Sequence, residues 1–202
     1  IISLKINFNC SHISGLDIMK NTTTFLIFFL FSILLNGQNL IKGQIVDQYG
    51  NNFIADLTIN NKKVDVNFDS GTFEYETEEK NVVISIKFQF FLNMKYNIEL
   101  NKKLTDLGKI YLISEIFWLD GPKKGTITGN YESGLPKYKI ELKNWNFNGL
   151  TEYFNDKGEL TQRIIYKRGQ PKEIYNRKNG VMKKLDFEFD KGKRKITVPN
   201  TV

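Results

Sequence analysis

The sequence predicts an all-β protein: a two-sheet β-sandwich followed by an antiparallel β-meander of hairpin repeats, preceded by an N-terminal signal helix. Three observations carry this. Apolar residues alternate with polar ones at period two through most of residues 38–198. Turn clusters rich in Asn, Asp and Gly separate the alternating runs. No window of comparable length repeats at the helical period, and one short, continuous apolar run stands near the start.

That run begins the chain's organisation. Met19-Lys20 leads through Asn21-Thr22-Thr23-Thr24 into Phe25 to Leu35, apolar except for Ser32. A bilayer-spanning helix needs about 20 such residues and a secretory core about 7–15. Residues 1–37 therefore read as an over-extended start followed by a signal peptide, with Lys20 as its positive region and cleavage near Gly37-Gln38. An uncleaved signal anchor is the alternative. Cleavage leaves no membrane-spanning segment and sends the product to the periplasm, the outer-membrane surface or the medium. No cysteine follows the apolar run, which speaks against a lipid-anchored form.

Removal of that segment has a chemical consequence. The only cysteine, Cys10, and the only histidine, His12, precede it. An exported product lacks both, which excludes disulfides, Ser-His or Cys-His nucleophilic catalysis, and the usual zinc and copper sites. Ser70, Ser85, Ser114 and Ser133 sit in no nucleophile motif. No phosphate-cradling loop or dinucleotide fingerprint occurs, so no cofactor is expected.

Residues 38–114 supply the sandwich. Ile41, Gly43 and Ile45 alternate with polar neighbours, as do Ala55, Leu57 and Ile59, then Val64, Val66 and Phe68, then Phe73, Tyr75 and Thr77. Val82 to Phe90 is the longest alternation, followed by Tyr96, Ile98 and Leu100, and by Ile110 and Leu112. Asp47 to Asn52, Asn60-Asn61-Lys62, Asp69-Ser70-Gly71 and Asn101-Lys102-Lys103 are the turns. Asp65, Asn67, Asp69 and Glu76 stand at the spacing of a helix-loop-helix calcium loop. The glycine that loop needs at its sixth position is Ser70, and Val66 and Phe68 alternate as a strand would. An acidic strand face is the simpler reading, and no metal site is expected. Glu74, Glu76 and Glu78 likewise fall on one solvated face, with Glu79 beside them.

Ile41-x-Gly43-x-Ile45-Val46-Asp47-x-x-Gly50, Asp69-Ser70-Gly71-Thr72-Phe73 and Asp106-Leu107-Gly108-Lys109-Ile110-Tyr111-Leu112 resemble the carboxypeptidase regulatory-like domain. The resemblance implies a transthyretin-like or immunoglobulin-like sandwich of the kind exported by Bacteroidota, serving as a non-catalytic spacer or docking module.

Asp120-Gly121-Pro122-Lys123-Lys124-Gly125 marks a boundary, and residues 115–124 read as a linker. The charge balance changes there. Residues 38–120 carry 9 Lys+Arg against 12 Asp+Glu, a net of −3, whereas residues 121–202 carry 18 against 9, a net of +9. Residues 125–198 form the hairpin segment. Tyr131 to Lys137 recurs as Tyr166 to Lys172, and Asn155 to Leu160 is echoed by Arg177 to Met182. Asn179-Gly180 suits a type I′ turn, and Asp156-Lys157-Gly158 a three-residue loop. Strands are expected over Tyr138 to Leu142, Gly149 to Phe154, Leu160 to Tyr166 and Leu185 to Phe189. Asn148 to Leu160 resembles a unit of the MORN-variant, antitoxin-like repeats, a family that implies no defined chemistry.

Function is expected from the cationic half. Trp145, Tyr153, Lys167, Arg168, Lys172, Tyr175, Arg177, Lys178, Lys183 and Lys184 form a candidate ligand-binding set, with Phe147 and Phe154 interleaved and Lys191 to Lys195 adding a further run. Cations beside aromatics attract phosphates and carboxylates, more weakly as salt rises. The first expectation is an exported, non-enzymatic interaction or structural module of the cell envelope, its partner an envelope protein. The alternative is a glycan- or lipopolysaccharide-binding protein that uses this basic aromatic face. A carboxylate-based hydrolase is a third reading. Nucleic acid is not an expected partner in that compartment. Lysines guarding strand edges against mispairing compete with every binding interpretation of this half.

Overall fold

The computed structural model describes residues 38–115 and 122–199. The expected signal segment, residues 116–121 of the expected linker and residues 200–202 lie outside the described residues. Among those described, every regular element is a strand, in agreement with the all-β expectation. Among the described residues no helix is long and apolar enough to cross a membrane.

The first half supplies seven strands: β1 (Asn39–Val46), β2 (Asp56–Ile59), β3 (Lys62–Val64), β4 (Thr72–Thr77), β5 (Asn81–Lys87), β6 (Asn93–Glu99) and β7 (Leu104–Tyr111). Alternation decides which side of each is buried. In β5, Val82, Ile84 and Ile86 are inside while Val83 and Ser85 lie nearer solvent, because successive side chains leave a strand on opposite faces. β4, β1 and β7 form one sheet, with β1 antiparallel to β4 and parallel to β7. β6, β5, β2 and β3 run antiparallel in the other. Ile41, Ile45, Phe73 and Ile110 of the first sheet share one core with Leu57, Ile59, Ile84, Met94 and Ile98 of the second.

Two expected strands stop early. Val66 and Phe68 lie outside β3, with Phe68 80% exposed, since Asn67 closes a turn there. Its Oδ1 accepts from the amides of Asp69 and Ser70 and from the Ser70 hydroxyl. β5 ends at Lys87, and Phe90 takes a left-handed φ of 68° in the turn that follows.

The second half forms β8 (Lys124–Asn130), β9 (Pro136–Lys143), β10 (Asn146–Phe154), β11 (Leu160–Lys167), β12 (Gln170–Lys178) and β13 (Val181–Leu185), a six-stranded antiparallel meander in chain order. The Asn179-Gly180 turn has φ of 51° and 78°, as a type I′ turn requires. The chain then leaves the meander. β14 (Glu188–Asp190) and β15 (Lys195–Val198) join the first half's larger sheet, β15 lying parallel to β6 with Ile196 opposite Met94. The sequence places a strand at Leu185 to Phe189 within the meander; instead Leu185 ends β13 and Phe189 belongs to β14. Fully buried Ile196 and Val198 hold this return strand in the core.

One face of the meander is covered. Gln162, Ile164 and Tyr166 of β11 point inward, and the Gln162 amide donates to the Leu112 carbonyl (3.4 Å) and to Asn176 Oδ1 (3.0 Å). The Thr161 hydroxyl donates to the Gln48 carbonyl at 2.7 Å, and the Tyr49 ring meets Tyr153 edge-on at 5.6 Å. The described residues from Asn39 onward consequently belong to one compact unit.

Candidate functional site

Meander topology sorts the candidate residues. Turns β9–β10 and β11–β12 lie at one end of the sheet, and turns β8–β9, β10–β11 and β12–β13 at the other. Trp145, Lys167, Arg168 and Lys172 belong to the first end. Asn144 and Trp145 form their turn at φ of 52° and 62°, leaving the indole 45% exposed. Arg168 and Gly169 form the next turn, tied to its neighbour where the Gly169 amide donates to the Phe147 carbonyl (2.9 Å) and the Arg168 amide to Asn148 Oδ1 (3.1 Å).

Arg177, Lys178 and Lys183 sit toward the opposite end. The Arg177 guanidinium donates to Glu159 Oε1 at 2.8 Å, and the Asn155 side-chain amide together with Arg177 holds the Glu159 carboxyl below its usual range. Tyr175 and Lys184 share a different partner on the outer face. The Tyr175 hydroxyl donates to Glu173 Oε2 at 2.5 Å, Lys184 Nζ lies 3.1 Å from the same oxygen, and Nζ stands 5.9 Å above the Tyr175 ring. Those two donors lower the Glu173 pKa, and the carboxylate raises both the Tyr175 phenol and the Lys184 ammonium.

The expected single basic aromatic face is thus divided. Tyr153 leaves it altogether: the residue is 3% exposed, and burial pushes its phenol well above the ordinary tyrosine value. It occupies an inward position of β10, one residue from the outward Glu152 and Phe154, so it packs the core rather than meeting a ligand.

Four of the remaining candidates meet residues that sequence reasoning did not single out. Arg177, Lys178, Lys183 and Lys184 line one wall of a cleft of about 670 Å³, opposite β7 and the loop before it. Lys102 and Lys109 stand on that other wall. The Lys178 stem crosses close to Gly108, where a Cβ would lie 3.9 Å from Lys178 Cε. Gly108 sits at φ 63° beside the register shift between β1 and β7, its amide held by Asp106 Oδ1 (2.9 Å). Asp106 is the one carboxylate among the described lining residues, and Lys42 lies 3.5 Å from it.

With Arg177 engaged by Glu159 and Lys184 by Glu173, four lining lysines remain. Among the described residues, none of Lys102, Lys109, Lys178 and Lys183 has an ion pair. The floor is different in character: Leu104, Leu107, Ile110, Leu185 and Tyr96 supply apolar surface. Thr105, also lining the cleft, is 4% exposed, and its Oγ1 has no hydrogen-bond partner among the described residues. An orphaned buried hydroxyl costs about 1–3 kcal/mol, an expense that a ligand oxygen would relieve.

Chemically, this set can hold an anion. Clustered like charges raise the local potential and draw in counter-ions, an attraction that added salt weakens. Lys102 and Lys109 were invisible to charge patterning because they belong to the half with net negative charge, and Thr105 carries no charge to mark it. No local signal predicts that β7 faces β12 and β13.

No family model matches the chain, and no curated protein or solved structure matches it significantly.

Proposed function

We propose that the protein is an exported, non-enzymatic interaction module of the cell envelope that binds an anionic partner, an acidic glycan or lipopolysaccharide, at the cleft between β7 and β12–β13. The observation that carries this reading is the set of four lysines without ion pairs around one carboxylate that Lys42 already neutralises. Export rests on Lys20 and the apolar run Phe25 to Leu35. The two family resemblances, both to modules without defined catalysis, agree with a binding role.

Immobilised heparin tests it. The protein should be retained at low salt and elute as salt rises, because contacts of exposed charges are screened within about 10 Å at 0.1 M. Lys178→Glu with Lys183→Glu should lower the eluting salt far more than Lys167→Glu with Arg168→Glu at the opposite end. Equal effects of the two pairs, or a larger effect of the second, would refute the assignment to the cleft.

A further inference from the structure

The cleft combines a cationic rim with an apolar floor, and a purely polar anion uses only the rim. From this juxtaposition we infer that the ligand is an anionic amphiphile: a phosphate or carboxylate head at Lys178, Lys183 and the Thr105 hydroxyl, and an acyl chain along Leu104, Leu107 and Leu185. The inference rests on the reading of the cleft as an anion site and narrows its ligand class.

Four features support it together. Leu104 is 48% exposed at the cleft, and the half-buried Leu107 and Leu185 add apolar lining to it. The Thr105 hydroxyl of the cleft lining is buried and without a partner among the described residues, and a chain of highly hydrated anions would have to shed water to reach it. A volume of about 670 Å³ falls within the range of about 300–1,000 Å³ typical of small-molecule sites. Four lysines without ion pairs, beside one carboxylate that Lys42 already pairs, select a negative head over a neutral or positive one.

Isothermal titration of the purified full chain separates the possibilities. Decanoate and dodecanoate supply a carboxylate head, decyl and dodecyl phosphate a phosphate head, dodecyl maltoside a chain without charge, and glycerol phosphate and heparin oligosaccharide a charge without chain. Each buried methylene is worth about a four-fold gain, so lengthening either acid from ten to twelve carbons should tighten binding roughly fifteen-fold. The two acid series identify which head the site prefers, and the neutral maltoside should bind at least about a hundred-fold more weakly than either.

Leu104→Asn, an uncharged polar change at an exposed position, should weaken dodecyl phosphate at least about ten-fold and leave heparin retention unchanged. Thr105→Val keeps the side-chain shape and should weaken the head-group contact several-fold with the chain-length slope intact. If heparin binds at the cleft but affinity ignores chain length, the amphiphile inference fails and the anion site stands. If neither acids nor heparin bind, both fail. A melting curve for each variant confirms that the fold is retained.

Discussion

Ile164 and Ile165 are neighbours on β11, and the fold assigns them opposite fates. Ile164 is fully buried, set between Thr151 of β10 and Ile174 of β12. Ile165 is 36% exposed, paired with Leu150 and Glu173 on the outer face. Truncation of a buried isoleucine to alanine costs about 2–5 kcal/mol, the lost transfer energy plus the cavity left behind. β11 is an interior strand of the meander and cannot collapse readily onto the gap, so Ile164→Ala should cost about 3 kcal/mol. In a body of this size that corresponds to a fall in Tm of roughly 6–12 °C. Ile165→Ala leaves no cavity and should cost less than about 1 kcal/mol. Urea unfolding of the two variants followed by circular dichroism gives both values directly. A one-residue slip of register would exchange the two faces. Ile165→Ala proving as costly as Ile164→Ala would therefore refute the described packing of the meander against the first half.

Gly71→Ala should destabilise by at least about 2 kcal/mol, because φ is 67° and the new Cβ would lie 2.5 Å from the Ile45 carbonyl oxygen; Gly180→Ala, at φ 78° with open space around it, should cost only about 1 kcal/mol in the same urea experiment. Alkaline pH should unfold the protein. Burial, followed by the charges of Tyr49, Asp47 and Asp156, pushes the Tyr131 phenol up to about 12, and burial raises Tyr96, Tyr153 and Tyr166 as well. A folded pKa above the unfolded value near 10 gives stability that is fully present below pH 10 and is lost as pH climbs toward the folded value. Urea midpoints should be flat with respect to these groups up to about pH 9.5 and fall steeply by pH 11.5. Ionisation of all the tyrosines near pH 10 with the fold intact would contradict their burial.

Period-two alternation revealed the strands because a half-buried strand must write it: Val82, Ile84 and Ile86 stand inside as their spacing implies. Turn chemistry was equally direct where the residues themselves favour positive φ, as at Asn179-Gly180. It failed at Asn144-Trp145, since tryptophan carries no such preference and the neighbouring hairpin supplies the constraint. The pairing of β15 with β6 depends on residues about 100 positions apart, and Lys195 to Val198 contain nothing that names Asn93 to Tyr96 as their partner. The site was half legible for the same reason. Arg177, Lys178, Lys183 and Lys184 announce themselves as charge, but what they face is decided by long-range assembly, and Glu159 and Glu173 engage cations that looked free. Tyr153 shows the opposite limit, since an aromatic between lysines in sequence is one face away from them in space.

Hydrogen exchange with and without a heparin oligosaccharide tests the central claim, that anionic ligands seat between β7 and β13. Both are edge strands of their sheets, so their outward amides exchange readily in the free protein. The account predicts that ligand slows exchange over residues 104–110 and 176–185 and leaves the far turns unchanged. Protection confined to residues 143–148 and 167–172, around Trp145 and Arg168, would contradict it.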